Sequence, residues 1–453
     1  METICAIATA RAASAIGVIR VSGDKAIEIC DGITRLKSGT LSDSRAGSMR
    51  LGRITDGKTD IDEVLCVIFR APHSYTGEDM VEINCHGGVS IIDRVMKLLI
   101  SRGARSATGG EFTKRAFLNG KVDLIQAEAV CDLINSTSAL DASLALGRMS
   151  GRLSKQFGEI FDTLTGINTD ILAYVDFPDE GLYDVDSESV LSSLYDADKK
   201  LLKLEKSFEI GSVIQDGANT VILGAPNVGK STLLNAILGY DRSIVSDTAG
   251  TTRDMVTERA VMNGVTLNLC DTAGIRESAG EIEKMGIDIA TRSLETADIV
   301  FCVFDGGREL SEDDKRIIEL AKGKNVIAVI NKSDLAQKLD KEYIEREFIR
   351  TVSISAKENS GIDRIADYVR ELIISDDISL ETDSLLTNAR HFERVVNARA
   401  RVRAAIETLE NGFTPDLASV DITDAASEIG MITGASVAEK IIDDIFSKFC
   451  VGK

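Results

Sequence analysis

This 453-residue sequence lacks several features that would indicate particular classes of protein, such as membrane or secreted proteins. Tryptophan is missing and there are only four prolines, so long helices can run without interruption. No apolar run approaches the ~20 residues that a membrane-spanning helix needs. The N-terminus has neither the basic stretch nor the apolar segment of a secretory signal. We therefore expect a cytoplasmic protein that does not enter a membrane.

Histidine is scarce, and acidic residues outnumber basic ones by 72 to 52. The formal net charge is −20, whereas a protein that wraps nucleic acid with its whole surface is usually basic, so any RNA contact is expected to be local or shared with a partner. Six of the eight cysteines lie in apolar surroundings that predict reduced, buried thiols. No Cys/His cluster has ligand spacing, so we interpret His86, beside two glycines, as a turn or subunit-contact residue and not as a metal ligand.

A glycine-rich stretch at residues 224–231 organises the chain. It matches the pattern G-x-x-x-x-G-K-[ST], follows a predicted buried strand and leads into a segment with helical spacing. Glycines let successive backbone N–H groups point at an anion, and the helix N-terminus adds partial positive charge. Lys230 would reach the β- and γ-phosphates of a nucleotide, and the Ser231 hydroxyl would bind Mg²⁺. The predicted phosphate-site residues are Asn227, Val228, Gly229, Lys230, Ser231 and Thr232.

Three further motifs each follow an apolar run: D-T-A-G at 271–274, N-K-S-D at 331–334 and S-A-K at 355–357. Ligands of open α/β sheets bind outside the carboxyl ends of the strands, so these motifs should converge on one crevice. The Asp334 carboxylate can accept two hydrogen bonds from guanine that adenine does not offer, while Asn331 would brace the loop. The sequence therefore predicts a GTP site that also contains Asp271, Thr272, Ala273, Gly274, Asn331, Lys332, Asp334, Ser355, Ala356 and Lys357.

Hydrolysis needs an unusual water-positioning group. Many regulatory GTPases place glutamine directly after D-x-x-G, but this chain has Ile275 there. Asn227 could instead ligate a monovalent cation together with oxygens from residues 246–251, so that the ion stands where an arginine finger would. Glu283 could orient the water, although its spacing alone favours the alternative, an exposed acid in a charged stretch. Thr252, in a candidate switch segment, would bind Mg²⁺ when the γ-phosphate is present.

The fold class predicted is multidomain, α+β and α/β. Strands are expected at 4–9, 16–21, 64–69 and 80–85 and a helix at 89–101, which predicts an N-terminal α+β domain. Helical patterns before and after the GTP motifs predict an all-helical central domain with an inserted Ras-like P-loop GTPase domain. The predicted segments are 1–120 (α+β), 121–212 (helical, first part), 213–376 (GTPase) and 377–453 (helical, second part).

The main basic cluster lies in the second helical part, and its arginines are Arg390, Arg394, Arg399, Arg401 and Arg403. Two interpretations remain open for it. It is either an RNA-contacting surface or a solvated helix face with the acidic neighbours Glu393 and Glu407.

Taken together, the motifs resemble the tRNA-modification GTPases known as MnmE or TrmE, and the resemblance covers essentially the whole chain. The matching stretches outside the common GTPase motifs are S-Y-T-G-E-D at 74–79, H-G-G at 86–88, G-E-F-T-K-R-A-F-L-N-G-K at 110–121, D-T-A-G-T-T-R-D at 247–254 and C-V-G-K at 450–453. The N-terminal stretches and the C-terminal C-x-G-K are the most specific. One departure is T-A-R-A-A-S-A at 9–15, where family members carry a Pro- and Gly-rich run, so the loop beside Arg20 is expected to differ.

The resemblance implies a homodimer that dimerises through a folate-binding N-terminal domain. With an FAD-dependent partner (MnmG or GidA), in a heterotetramer, it would build an aminomethyl-type group at C5 of the wobble uridine of certain tRNAs. The cofactors implied are GTP, Mg²⁺, K⁺ and a tetrahydrofolate derivative in its 5-formyl or methylene form.

The residues that the resemblance assigns fall into five sets. The folate set is Arg20, Glu82, Lys121 and Lys453. The potassium set is Asn227, Ser246, Thr248 and Thr251, and the magnesium set is Ser231 and Thr252. The additional GTP-binding set is Ser246, Asp247, Thr248, Ala249, Gly250, Thr251 and Thr252, and the catalytic set is Glu283, Lys230 and Cys450.

The C-terminal tail is expected to complete a site at the other end of the chain. An apolar helix at 441–449 would dock the tail, and Gly452 would let the backbone turn so that Cys450 and Lys453 meet Arg20. Two other functions remain open: a GTP-switched RNA-binding or ribosome-assembly factor, and a regulatory GTPase that acts only on protein partners. The specific chain ends favour tRNA modification over both.

Overall fold

The computed structural model describes residues 2–176, 187–240, 257–270, 294–374 and 385–452. The chain divides into two compact units by its internal contacts. The first unit contains Met1–Cys131, Met149–Thr165 and Ala426–Lys453, and the second contains Asp132–Arg148 and Gly166–Ala425. The four predicted domain segments remain predictions. Among the helices in the described ranges, none has the length and apolar character of a membrane span.

A seven-stranded sheet lies at the centre of the first unit. Its spatial order is β3-β4-β5-β6-β2-β1-β7, and every pair is antiparallel except β1–β7. The strands are β1 Ile4–Ile7, β2 Ile16–Ser22, β3 Thr34–Leu36, β4 Met49–Thr55, β5 Asp60–Phe69, β6 Met80–His86 and β7 Arg105–Ser106. Four of them correspond to the predicted strands, whereas β3, β4 and β7 were not predicted.

Alternation along the strands gives this sheet a buried face and an outer face. In β6, Val81 and Ile83 are fully buried in a cluster that includes residues of the helices Ala26–Asp31 and Val89–Ser101. Glu82 lies between them on the opposite face, because successive side chains of a strand point to opposite sides. Arg20 in β2 is directly opposite Glu82 in the register, so both belong to the outer face.

A six-stranded sheet forms the centre of the second unit. Its order is β13-β12-β11-β8-β10-β9, and all pairs are parallel except β9–β10. The strands are β8 Ala218–Gly224, β9 Thr257–Met262, β10 Val265–Cys270, β11 Ile299–Asp305, β12 Val326–Asn331 and β13 Thr351–Ser353. The central strands are continuous buried runs, as expected for a parallel sheet covered on both faces. This arrangement confirms the predicted GTPase-type α/β fold.

Helices make up most of the remaining structure. Those not yet named are Glu111–Leu118, Leu124–Asn135, Ala139–Met149, Arg152–Asp176, Ser187–Asp216, Lys230–Leu238, Glu312–Ala321, Lys341–Glu347, Ile362–Ile373, Ala389–Glu410, Pro415–Thr433 and Glu439–Ser447. The long helices Ser187–Asp216 and Ala389–Glu410 lie against each other, with the rings of Phe208 and Phe392 stacked 4.3 Å apart. They confirm the predicted helical part that precedes and follows the GTPase sheet.

Three arginines of the basic cluster are neutralised by acids on other helices. Arg399 donates to Asp198 at 2.9 Å and to Glu205 at 2.8 Å. Arg403 also donates to Asp198, at 3.1 Å. Arg401 pairs with a third helix through Asp421 and Asp424. The acids that pair with these three arginines lie on other helices, whereas Glu393 and Glu407 belong to the same helix as the cluster.

Candidate functional sites

The loop after β8 has the shape that a phosphate site requires. Asn227 has φ 64° and Gly229 has φ 99°, so both lie in the left-handed region that glycine and asparagine adopt most readily. Gly229 also begins the helix Lys230–Leu238, whose first N–H groups have no partner within the helix. A Cβ at Gly229 would lie 2.3 Å from Asn331 Nδ2, so any side chain here would separate the two loops.

Lys230 is held over this loop. Its Nζ donates to the carbonyl oxygens of Gly224 and Ala225 at 2.8 and 2.9 Å. The ammonium group therefore lies inside the curl of the loop, where the β- and γ-phosphates are predicted to bind.

Asn331 joins three of the predicted motifs. It is almost fully buried, and its Nδ2 donates to the Val228 carbonyl at 2.9 Å. Its Oδ1 accepts from the N–H groups of Lys332 and Ala356 at 2.8 and 3.0 Å. The loops after β8, β12 and β13 thus converge at the carboxyl edge of the sheet, as the motif order predicts.

Asp334 and Lys332 are also fixed by neighbouring motifs. Ser355 Oγ donates to Asp334 Oδ1 at 2.7 Å, which orients the carboxylate predicted to bind guanine. Lys332 Nζ donates to the Asn227 carbonyl at 2.9 Å and to Asp305 Oδ2 at 2.6 Å. The phosphate loop and the base-binding loop are therefore connected by a lysine as well as by an asparagine.

Asp305 is a site residue that the sequence reasoning missed. It is the last residue of β11, and its signal was an acid at the end of the apolar run 299–304. Partial burial favours its neutral form, but hydrogen bonds from Lys332 and the Gly307 N–H hold the pKa of Asp305 below its ordinary value. The carboxylate is thus charged at neutral pH and neutralises Lys332.

Much of the predicted catalytic and metal-binding machinery lies outside the described residues. This applies to Ser246, Asp247, Thr248, Ala249, Gly250, Thr251, Thr252, Asp271, Thr272, Ala273, Gly274, Glu283 and Lys453. Their roles remain predictions. Ser231 and Asn227 are described; both carry side-chain oxygens at the phosphate loop, and oxygen is the ligand type that suits a hard cation.

The first unit contains a second polar site on the outer face of its sheet. Arg20 Nε donates to Glu82 Oε1 at 2.8 Å, and the two side chains are only 19% and 21% exposed. The Arg20 guanidinium also lies 5.6 Å from the ring centre of Tyr75. The Tyr75 hydroxyl is hydrogen-bonded to Thr113 Oγ1 at 2.8 Å, which fixes the ring beside the guanidinium.

The C-terminal tail lies against this site. Arg20 Nη1 donates to the Gly452 carbonyl at 3.5 Å, while Val451 forms a β-bridge with Gly109. Gly452 has φ 101°, and a Cβ there would lie 2.2 Å from the Ile7 carbonyl oxygen. Glycine is therefore needed for this close approach.

The helix before the tail holds it in place. Phe446 and Phe449 are buried with Leu124 and Ala127 in one apolar cluster. Cys450 itself is exposed, and its carbonyl accepts from the Gly110 N–H at 3.3 Å. Lys121, the other described member of the predicted folate set, donates from Nζ to the Pro72 carbonyl at 3.0 Å.

A buried ion-pair network supports the loop that carries Tyr75. Arg115 is 6% exposed, and its guanidinium donates to Glu78 and Glu111. Burial raises the pKa of Glu111, but hydrogen bonds from Arg105, the Thr108 N–H and Arg115 outweigh it and lower that pKa to about 2. Glu111 and Arg115 are four residues apart on one helix, whereas Glu78 is 37 residues from Arg115, and the sequence contained no signal for that distant pair.

The H-G-G stretch at 86–88 has a structural role next to the loop at 9–15, whose sequence differs from that of family members. A Cβ at Gly87 would lie 2.2 Å from Ser14 Oγ, so this glycine permits the loop to approach β6. Arg11 of the same loop pairs with Asp93 at 3.0 Å. His86 Nδ1 lies 2.7 Å from Asp62 Oδ1, and within the described ranges no group of three or more potential ligands could hold a metal ion.

Comparison with known proteins identifies the family. The family model described as "MnmE helical domain" matches residues 124–450, and the one described as "GTP-binding protein TrmE N-terminus" matches residues 3–121. Two curated proteins named "tRNA modification GTPase MnmE", from Acetivibrio thermocellus and Thermoanaerobacter pseudethanolicus, are 40% and 38% identical over 100% of this chain and 99% of their own.

One solved structure is similar to a smaller part of the chain. A single-residue variant of Aquifex aeolicus Era, bound to GDP and AlF4⁻, is 29% identical over 41% of this chain and 66% of that chain, at a TM-score of 0.29. The family models and the full-length relatives together decide the assignment. The chain belongs to the MnmE family of tRNA modification GTPases.

Proposed function

We propose that this protein hydrolyses GTP in a potassium-dependent reaction and, with an FAD-dependent partner, installs an aminomethyl-type group at C5 of the wobble uridine of certain tRNAs. The observation that carries the proposal is the second polar site, built from Arg20, Glu82 and the C-terminal tail. A protein that only switched between GTP and GDP would not need this site. It therefore favours chemistry beyond nucleotide hydrolysis.

Guanine selection would depend on Asp334. One of its oxygens is already held by Ser355, so the carboxylate has a fixed direction before the base arrives. A fixed acceptor loses little conformational freedom on binding, and its charge strengthens each hydrogen bond from the base. Asn331 would keep this carboxylate in register with the phosphates, because it joins both loops.

Hydrolysis would use the residues of the phosphate loop and its two following segments. Lys230 would neutralise the β- and γ-phosphates, while Ser231 and Thr252 would bind Mg²⁺. Asn227, Ser246, Thr248 and Thr251 would hold K⁺, which supplies the positive charge that an arginine finger supplies elsewhere. Glu283 would orient the attacking water, since Ile275 has no hydrogen-bonding side chain.

The second site would bind a tetrahydrofolate derivative in the 5-formyl or methylene form. The Glu82 carboxylate accepts hydrogen bonds, which suits the N–H groups of a pterin. Lys121, Lys453 and the partly exposed Arg20 offer positive charge to a glutamate carboxylate. The flat ring of Tyr75 beside Arg20 gives the site an aromatic wall. The residues present thus fit the chemistry of this ligand, and Cys450 would lie at its edge.

We further propose that the chain forms a homodimer, which assembles with its FAD-dependent partner into a heterotetramer. The outer face of the N-terminal sheet exposes Met49, Leu51 and Leu65 at 62%, 46% and 39%. Leu51 and Leu65 are directly opposite in the register of β4 and β5, so they form a continuous apolar strip. Burial of such a strip would favour association.

The test is complementation of a strain that lacks the corresponding gene, with modified wobble uridine in total tRNA measured by mass spectrometry. The intact chain should restore the modified nucleoside, whereas Arg20→Gln and Asp334→Asn should not. Lys315→Ala is the matched control, because Lys315 lies on the protein surface and pairs with Glu312 three residues earlier in its own helix. Full restoration by Arg20→Gln would exclude the second site from the reaction.

A further inference from the structure

The segment Asp132–Arg148 has an unusual place in the chain. Its residues belong to the second compact unit, although the residues up to Cys131 and those of Met149–Thr165 belong to the first. The chain therefore leaves the first unit, contributes this segment to the unit that contains the GTPase sheet, and then returns. The segment is therefore covalently connected to the first unit at both of its ends.

Within the second unit, the segment contacts β10 directly. The hydroxyls of Thr137 and Thr266 are hydrogen-bonded at 2.9 Å, and Thr266 is 2% exposed. Leu144 belongs to the same buried cluster as Leu267 of β10. The strand β10 ends at Cys270, immediately before the D-T-A-G motif. A shift of this strand would therefore move Thr266 and alter its hydrogen bond to Thr137.

The same strand is joined to the chain that enters the GTPase sheet. Asn268 Nδ2 donates to the carbonyls of Asp216 and Gly217 at 3.0 and 3.2 Å. Thr266 and Asn268 are two residues apart in a strand and so share one face. That face of β10 therefore contacts both the Asp132–Arg148 segment and the entry connection.

Arg148 connects the segment to both ends of the inserted GTPase part. Its Nη1 donates to the hydroxyl of Thr387, on the chain that leaves that part, and lies 3.4 Å from Gln215 Oε1, on the chain that enters it. The same nitrogen is 2.9 Å from Asp132 Oδ2. The entry and exit chains touch, because a Cβ at Gly211 would lie 1.9 Å from the Leu386 carbonyl oxygen.

Several buried polar atoms of Arg148 and Asp141 have no hydrogen-bond partner among the described residues. Arg148 is 3% exposed, and its Nε and Nη2, like Asp141 Oδ1, have no hydrogen-bond partner among the residues that the structure describes. Unsatisfied buried polar groups are costly, so surrounding packing must hold them in place. A small displacement of the partners would change these contacts strongly.

We propose that Asp132–Arg148 is a coupling segment that responds to the nucleotide state of the GTPase site. A shift of β10 would reach it through the Thr137–Thr266 hydrogen bond, and Arg148 would hold the entry and exit chains in register with it. Thr137 and Arg148 are positioning residues in this scheme, because neither belongs to a nucleotide-binding motif. The proposal requires GTP binding but not tRNA modification, so it can be tested independently of that chemistry.

The test is hydrogen–deuterium exchange of the full-length protein in KCl, with GDP and with a non-hydrolysable GTP analogue. In the unaltered protein, peptides from 132–148 should exchange at different rates in the two states. Thr137→Val removes the hydroxyl but keeps the shape, so it should lose at least half of this difference. Thr137→Ser keeps the hydroxyl and should retain it.

A matched control is Thr163→Val, because the partly buried Thr163 donates from its hydroxyl to the Glu159 carbonyl within its own helix. The control should behave like the unaltered protein, and the KM for GTP should be unchanged in all variants. If Thr137→Val does not fold, Arg148→Lys, which keeps the charge but loses the planar fork, should show the same loss. An unaltered protein without a nucleotide-dependent difference in 132–148, or a variant that retains the whole difference, would overturn the proposal.

Discussion

Asn331 donates from Nδ2 to the Val228 carbonyl at 2.9 Å, which connects the loop predicted to bind the base to the phosphate loop. The lysine that follows strengthens this connection through its bond to the Asn227 carbonyl. This explains why the chain can hold its GTP-binding motifs on separate loops and still present them in fixed geometry.

We expect Asp334→Asn to change the nucleotide preference. The substitution removes a charged acceptor and introduces an N–H group that faces the donors of guanine. Charge-assisted hydrogen bonds contribute roughly 1.5–3 kcal/mol each, so GTP affinity should fall at least tenfold. Xanthosine triphosphate, which has a carbonyl in place of the amine, should bind better than GTP. Titration with both nucleotides measures this, and unchanged GTP affinity would place the base elsewhere.

Potassium dependence is the second prediction. GTP turnover measured in KCl should exceed turnover in NaCl of equal ionic strength, because the larger ion suits the site proposed at Asn227. Asn227→Ala should remove the difference between the salts. Thr232→Ser is a useful control, since it changes a residue in the first turn of the helix that follows this loop without removing a proposed potassium ligand. Equal rates in the two salts would contradict the cation site.

The third prediction concerns the tail. Gly452→Ala should reduce tRNA modification at least tenfold and leave GTP hydrolysis within twofold, because the added Cβ would clash with the Ile7 carbonyl and displace the tail from Arg20. Gly412→Ala is the matched control: Gly412 has φ +76°, but no atom of the described residues lies within 4 Å of an added Cβ. Only the first variant should lose modification. Equal effects of the two would show that backbone strain, and not tail docking, is responsible.

The motifs were predictable from the sequence where local spacing decides the structure. The strand, glycine-rich loop and helix around Lys230 follow from periodicity together with the G-x-x-x-x-G-K-[ST] pattern. The positions of Asn331 and Asp334 follow from the N-K-S-D motif at the end of an apolar run. The strand β4 was missed because its apolar residues Met49 and Leu51 are exposed and its buried positions include Gly52, so it lacks an apolar core pattern.

Long-range polar partners could not be predicted in the same way. The Arg115–Glu78 pair and the contacts of Arg148 join charges that are distant in the sequence, and charged residues are common enough that no spacing singles them out. The basic cluster near Arg399 was ambiguous for the same reason, because the acids that neutralise it are on other helices. Tertiary contacts, and not local patterns, decide these features.

The stability of the GTPase unit should depend on Asp141. Burial raises the pKa of this carboxyl to about 6, the charges of Asp132 and Asp216 add to the rise, and the Thr137 N–H and Arg148 oppose it. The folded state therefore holds the proton more tightly than the unfolded state, whose pKa is about 3.9. The stabilisation from protonation is present at low pH and is lost as the pH rises through about 6.

Asp141→Asn should therefore raise the urea midpoint at pH 8, by the equivalent of about 1–3 kcal/mol, because the amide carries no buried charge. The gain should shrink as the pH falls below about 6, because the natural carboxyl of the folded state is then increasingly protonated. Asp170→Asn, at an exposed position of a helix, is the control and should show no such trend. A gain that does not change with pH would contradict the assignment.

The most direct test of the whole account is to delete residues 450–453 and to measure GTP hydrolysis and wobble-uridine modification on the same preparation. The account predicts that kcat for GTP stays within twofold of the intact chain, since no nucleotide motif is altered, while modification falls to background because the site at Arg20 is left incomplete. Modification at the normal rate by the shortened chain would contradict it.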